Sequence, residues 1–166
     1  GGTGFIGSYV ARELAGSGAS VTVLARNMKK APGLLSLPGV DIMEFSLSDP
    51  LARLKSVRKI DALVLVALAW GDTGPDMIRN ETLRQVELID LAVKKGVKKV
   101  IFTSSTAAAG PIKITSNEDS LRRPSDFYGA TKGSVELFLS AYSAYFPKIQ
   151  FNVIRPGYTF GRPCVE

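Results

Sequence analysis

The sequence predicts an α/β chain, a doubly wound parallel sheet with helices on both faces. Short apolar runs at residues 20–25, 40–45, 61–69, 97–103 and 149–155 alternate with segments of helical apolar spacing. The run at 61–69 is apolar on both faces, as an interior parallel strand must be. Glycines at 1, 4 and 7 open a helical pattern at Ile6, Val10 and Leu14, so a sharp turn leads into a helix.

The 166 residues, 45% apolar with a net charge of +6, suffice for one globular domain, spanning residues 1–166. The longest apolar run, 62–70, is about half of what a membrane-crossing helix needs, and no charged-then-apolar leader marks export. One cysteine, Cys164, excludes an internal disulfide framework, and the absence of histidine removes the commonest zinc ligand and general base. The expectation is a cytoplasmic protein with no bound metal and no membrane partner. The basic cluster at 94–99 falls where a helix ends and a strand begins. There it complements the helix dipole, so no nucleic-acid partner is expected.

The glycine turn at 1–7 has the composition of a dinucleotide-binding turn. Glycines let the backbone approach a pyrophosphate, whose charge meets the free N–H groups of the helix start. Gly1, Gly4, Phe5, Ile6 and Gly7 are therefore candidate cofactor contacts. A strand is expected ahead of Gly1; without it two neighbouring strand edges would be exposed, and the chain reads as a fragment. After the strand at 20–25 stands Arg26, with Lys29 and Lys30 just behind, where an acidic residue would hold the ribose of NAD. An arginine there suits a 2′-phosphate, so NADP is favoured over NAD.

After the strand at 40–45, Leu47 lies at the level expected of an adenine, and Asp49 is placed to cap a short helix that begins with Pro50. The end of the fourth run, Ala67, Leu68 and Ala69, should border the cofactor. A long helix follows to about Lys95, with Asn80 in its first half. The strand at 97–103 ends in Thr103, Ser104, Ser105 and Thr106, hydroxyls at the carboxyl end that faces the ligand crevice of such a sheet. Residues 107–125, rich in Gly, Pro, Ser and Asn, read as a loop over the site.

The helix after this loop carries Tyr128 and Lys132. A spacing of four puts them on one face, one turn apart. An ammonium beside a phenol favours the phenolate, so a group of ordinary pKa about 10 can take a proton near neutrality. Val135, Phe138, Leu139 and Tyr142 are read as the buried stripe of this helix.

Four segments, GGTGFIG at 1–7, GVKKVIFTSS at 96–105, YGATK at 128–132 and RPGYTFG at 155–161, resemble the extended short-chain dehydrogenase/reductase family, in the NAD-dependent epimerase/dehydratase group with its Rossmann-type fold. The resemblance implies that Tyr128 exchanges the substrate hydroxyl proton, that Lys132 holds the nicotinamide ribose, and that Ser105 orients the substrate oxygen, with Thr106 as runner-up. It also implies that Pro156 and Gly157 shape the nicotinamide pocket, that a homodimer forms through the helices at 76–95 and 127–146, and that a C-terminal substrate domain is largely absent from these residues. Thr106 and Ala107 stand where 4,6-dehydratases of the family carry an Asp-Glu pair, so dehydration is not expected. Ala109 and Ser46 depart from its usual aromatic and acidic residues. The implied activity is hydride transfer between nicotinamide and a secondary alcohol or ketone, as epimerase or reductase, with a nucleotide sugar among the candidate substrates. The alternative is a non-catalytic NADP-binding sensor or scaffold, which would not need the Tyr/Lys pair.

Overall fold

The computed structural model describes residues 1–27, 32–57, 59–113 and 115–161. Lys29, Lys30 and Cys164 lie outside the described residues. The fold is α/β and Rossmann-type, with all paired strands parallel. By contacts the chain divides into two compact units.

The first unit holds the described residues of Gly1–Arg53, Val66–Leu68 and Phe160–Glu166. Here α1 (Phe5–Gly16) leads to β1 (Val21–Ala25), a short α2 (Pro32–Leu35) and β2 (Val40–Glu44), with Val21 opposite Val40 and Ala25 opposite Glu44. Ala11, Val23 and Leu34 are buried together, with Val21, Leu37, Val40 and Ile42 packed around them. The inward face of α1 is Gly7, Ser8 and Ala11, whereas Leu14, expected inside, is 38% exposed. Asp49 is not a helix cap either. Its carboxylate turns back to accept the Ser46 N–H at 2.8 Å and pairs with Arg53 at 2.7 Å, and the segment after it, Leu51–Ser56, is a 3₁₀ helix.

The second unit holds Leu54–Leu65 and Ala69–Thr159. Its sheet has the order β3 (Ala62–Leu65), β4 (Lys99–Thr103), β5 (Gln150–Ile154), with β4 in the middle. Val100 and Phe102 on β4 are wholly buried. Between β3 and β4 runs a helix in three parts, α3 (Gly74–Met77), a π-helical turn (Ile78–Leu83) and α4 (Arg84–Lys94). Thr73 caps its start by accepting the Asp76 N–H. Gly96, at φ +79°, ends it by supplying the left-handed residue that the closing turn requires. The basic cluster meets its charge locally, with Lys94 on Asp90 at 2.5 Å and Lys98 near Asp61 at 3.8 Å.

The helix α5 (Phe127–Tyr145) starts where the Asp126 carboxylate accepts the Gly129 N–H at 2.6 Å. Its inward face is Gly129, Thr131, Lys132, Val135, Glu136 and Leu139. Burying Val135 and Leu139 contributes about 1.5–3 kcal/mol each. Phe138, expected in this stripe, is 48% exposed and Tyr142 half-buried; the inward face lies further toward the start of the helix and includes the charged Lys132 and Glu136.

The single sheet expected from the sequence is thus found as two parallel pieces. Among the described residues β1 is paired with β2 alone.

Candidate functional site

In the first unit the site is made of backbone. The Gly4 N–H donates to the Gly1 carbonyl at 3.0 Å and closes the turn. A Cβ at Gly7 would lie 2.2 Å from the Gly1 oxygen, and one at Gly1 2.6 Å from the Ala67 backbone. Glycine is required at both positions by close approach alone. The first turn of α1 has no side-chain cap and no acidic residue. Its N–H groups and dipole therefore suit an anion, and the turn fits the pyrophosphate of a dinucleotide. Phe5 and Ile6 form the helix start, with the Phe5 ring edge-on to Tyr9 at 5.9 Å. Ala67 lies against Gly1, and Leu68 is 45% exposed. Arg26 is exposed just after β1, and Leu47 sits half-buried in the turn after β2.

In the second unit, Tyr128 opens α5 half-buried, and the exposed Trp70 ring stacks on it at 6.2 Å and 27°. Gly129, the next residue, lets the helix start press on the loop below, because a Cβ there would be 2.3 Å from the Ala107 oxygen. Lys132 is buried, its ammonium 5.0 Å from the Phe102 ring centre and 5.8 Å from that of Tyr128. The ammonium is paired with Glu81 at 2.9 Å, and Glu81 is itself fully buried.

The two serines at the end of β4 part company. Ser104 is buried and donates to Glu136 at 2.5 Å. Ser105 is half-buried, and its hydroxyl oxygen accepts the Ala107 N–H at 3.2 Å, which leaves its own proton to donate. Thr103 ends β4 half-buried. The Thr106 N–H donates to the Pro156 carbonyl at 3.2 Å, which fixes the turn after β5 beside the turn after β4. Gly157 is exposed with open space where a Cβ would stand. The Ala69 N–H is taken by Glu81 at 2.8 Å, so that donor serves the protein itself.

Glu136 forms a second charged centre. It receives Ser104, Arg155 at 2.6 Å and Arg122 at 2.9 Å. Burial pushes its pKa up, but the hydrogen bonds from Arg155 and Ser104, the charge of Arg155 and the bond from Arg122 outweigh burial and hold it below the ordinary value. The same bond to Glu136 raises the Arg155 pKa against desolvation. Arg155 also donates to the Glu118 carbonyl at 3.1 Å, so this centre ties the loop at 107–125 to α5 and β5.

Sequence reasoning missed Glu81, Glu136, Arg122 and Trp70, and noticed Arg155 only as the first residue of the RPGYTFG segment. It singled out Asn80, which is exposed, one position from the buried Glu81. The sequence IRNETLRQ at 78–85 is mostly polar and carries no apolar pattern that marks Glu81 as buried. The π turn that directs Glu81 inward has no spacing signature. No helix among the described residues is long and apolar enough to cross a membrane.

Among curated proteins, the chain is 30% identical over 149 residues to UDP-glucose 4-epimerase of Azospirillum brasilense, covering 84% of this chain and 42% of that one. Among solved structures, it is similar to the UDP-Glc/GlcNAc 4-epimerase of Campylobacter jejuni, with TM-score 0.83 and 26% identity over 93% of this chain and 51% of the other. It is also similar to MoeE5 in complex with UDP-glucuronic acid and NAD, with TM-score 0.75 and 26% identity over 93% and 52%. The chain spans about half the length of the curated relatives it matches, 57% and 42% of the first two. A sequence profile of the NAD dependent epimerase/dehydratase family matches residues 1–163, and the chain belongs to that family.

Proposed function

We propose that these residues form the dinucleotide-binding and proton-transfer part of an NAD(P)-dependent epimerase or oxidoreductase acting on a secondary alcohol of a nucleotide sugar. The observation that carries the reading is Tyr128 and Lys132 one turn apart at the start of α5, with the ammonium 5.8 Å from the phenol ring centre. The glycine turn, Ser105 and the likeness to UDP-sugar 4-epimerases support it.

Tyr128 takes the proton of the substrate hydroxyl and returns it in the reverse step. Ser105 donates to the same substrate oxygen, and Lys132 holds the ribose next to the nicotinamide. Ala67, Leu68, Ala69, Thr103, Pro156 and Gly157 line the cofactor, and Leu47 meets the adenine. Nicotinamide, when bound, supplies the hydride acceptor and donor, so that the ketone is either released or reduced again from its opposite face.

The family and the MoeE5 complex support NAD as cofactor. Arg26 is the one observation in favour of NADP. A homodimer through α4 and α5 is supported by the groove of Val86, Phe138, Ala141, Tyr142, Tyr145 and Phe146, in which Tyr145 is 82% exposed. A cytoplasmic setting is supported by the single cysteine.

The test is turnover of the full-length protein with UDP-glucose, followed by other UDP-sugars, aldehydes and ketones. Tyr128→Phe should lower turnover by roughly 100-fold or more, the scale of a lost general base, with NADH affinity within about threefold. A fully active variant overturns the reading.

A further inference from the structure

Lys132 does not stand as an isolated cation. Its side chain is 4% exposed and that of Glu81 0%, and their charged atoms are 2.9 Å apart. The second Glu81 oxygen accepts the Ala69 N–H at 2.8 Å, and Gln85 donates to the first at 3.4 Å. Trp70, next to Ala69, stacks on Tyr128. A closed circuit results. Glu81 holds Lys132, Lys132 lies one turn from Tyr128, Tyr128 carries Trp70, and the residue before Trp70 is held by Glu81.

Two features set this circuit apart from ordinary packing. A buried ion pair is a poor source of stability compared with apolar side chains of the same size, so its presence here calls for another reason. Glu81 also sits in a π-helical turn, a rare geometry that recurs at functional sites. Lys132 has three N–H donors and Glu81 takes one, which leaves capacity for ribose hydroxyls.

We infer that Glu81 is a positioning residue for the Tyr128/Lys132 pair, fixing the Lys132 ammonium and the Ala69–Trp70 segment by its two carboxylate oxygens. The inference rests on the reading of Tyr128 and Lys132 as the proton-transfer pair. Glu81 is fully buried and acts through Lys132.

The test is a double-mutant cycle in the full-length protein, Glu81→Gln, Lys132→Met and both, read by NADH fluorescence titration and by thermal melting without cofactor. Glutamine keeps an acceptor for the Ala69 N–H and presents no charge to Lys132. Glu81→Gln should weaken NADH binding about tenfold or more, the scale of a charge-assisted bond. The double variant should bind no more weakly than the worse single one, because both changes break the same contact. Glu81→Asp, which keeps the charge, should recover part of the loss. Wild-type NADH affinity in Glu81→Gln with a lowered melting temperature overturns the inference, as do losses that multiply in the double variant. If Glu81→Gln does not fold, Glu81→Asp decides alone: NADH binding weaker than wild type and not additive with Lys132→Met is expected, and wild-type affinity overturns the inference. Failure of the underlying reading looks different. Tyr128→Phe would then stay active, or the wild-type protein would bind neither NADH nor NADPH.

Discussion

The glycine turn of the first unit and the Tyr128 helix of the second are built by opposite means. At residues 1–7 the site is made by leaving atoms out: Gly1 and Gly7 have no room for a Cβ, and the helix start carries no side-chain cap. Around Tyr128 the site is made by adding charge to the interior and then compensating it. Glu81 pairs with Lys132, and Glu136 gathers Ser104, Arg122 and Arg155. A backbone site tolerates loss of a side chain and fails when one is added. A charge-built site fails when one member is removed, because its partner is left buried and unpaired.

The sharpest way to break the second half of that contrast is Glu136→Ala. It strands Arg155, 15% exposed, and removes the acceptor of buried Ser104. The expected loss is about 3–5 kcal/mol in urea unfolding, together with faster proteolysis of the loop at 107–125. A loss below about 1 kcal/mol would place Glu136 among ordinary surface pairs.

Acid sharpens the same point more gently. The folded-state pKa of Glu136 is lowered from the ordinary 4.5, so its contribution is complete above that value and is lost as pH falls through the folded-state pKa. The stability gap between wild type and Glu136→Gln should therefore be constant near neutrality and narrow below pH 4.5. A gap that widens on acidification would contradict the sign.

The smallest effect expected is at the edge of the backbone site. Arg26→Asp should shift the ratio of NADPH to NADH affinity toward NADH by roughly tenfold, the scale of one charge-assisted contact. An unchanged ratio would assign Arg26 to the solvated surface.

The same contrast explains what the sequence revealed. Glycine spacing is a direct record of close backbone approach, so Gly1, Gly4 and Gly7 were legible, and so were the parallel strands by their apolar runs. That Tyr128 and Lys132 lie on one face of a helix was legible, because a spacing of four places them one turn apart; the spacing alone does not mark them as a site. Glu81 and Glu136 were not legible. Spacing treats an acidic residue as solvent-facing, and only the partners that converge from distant segments, Lys132 on Glu81 and Arg155 on Glu136, make it an interior one. The mistaken placement of Phe138 inside and the missed Glu136 are one error, since a stripe drawn from apolar residues alone excludes buried charge. Asp49 failed for a related reason: two local donors, Ser46 N–H and Arg53, claimed its carboxylate.

The most direct test of the division between the two units is an NADH titration of full-length Gly7→Ala beside Tyr128→Phe. A methyl group at Gly7 would stand 2.2 Å from the Gly1 oxygen, so the turn must open, at about 1–3 kcal/mol of strain in the region proposed to receive the pyrophosphate. Gly7→Ala should lose measurable NADH binding while Tyr128→Phe binds within about threefold of wild type. Wild-type affinity in Gly7→Ala, or loss of binding in Tyr128→Phe alone, would contradict that division.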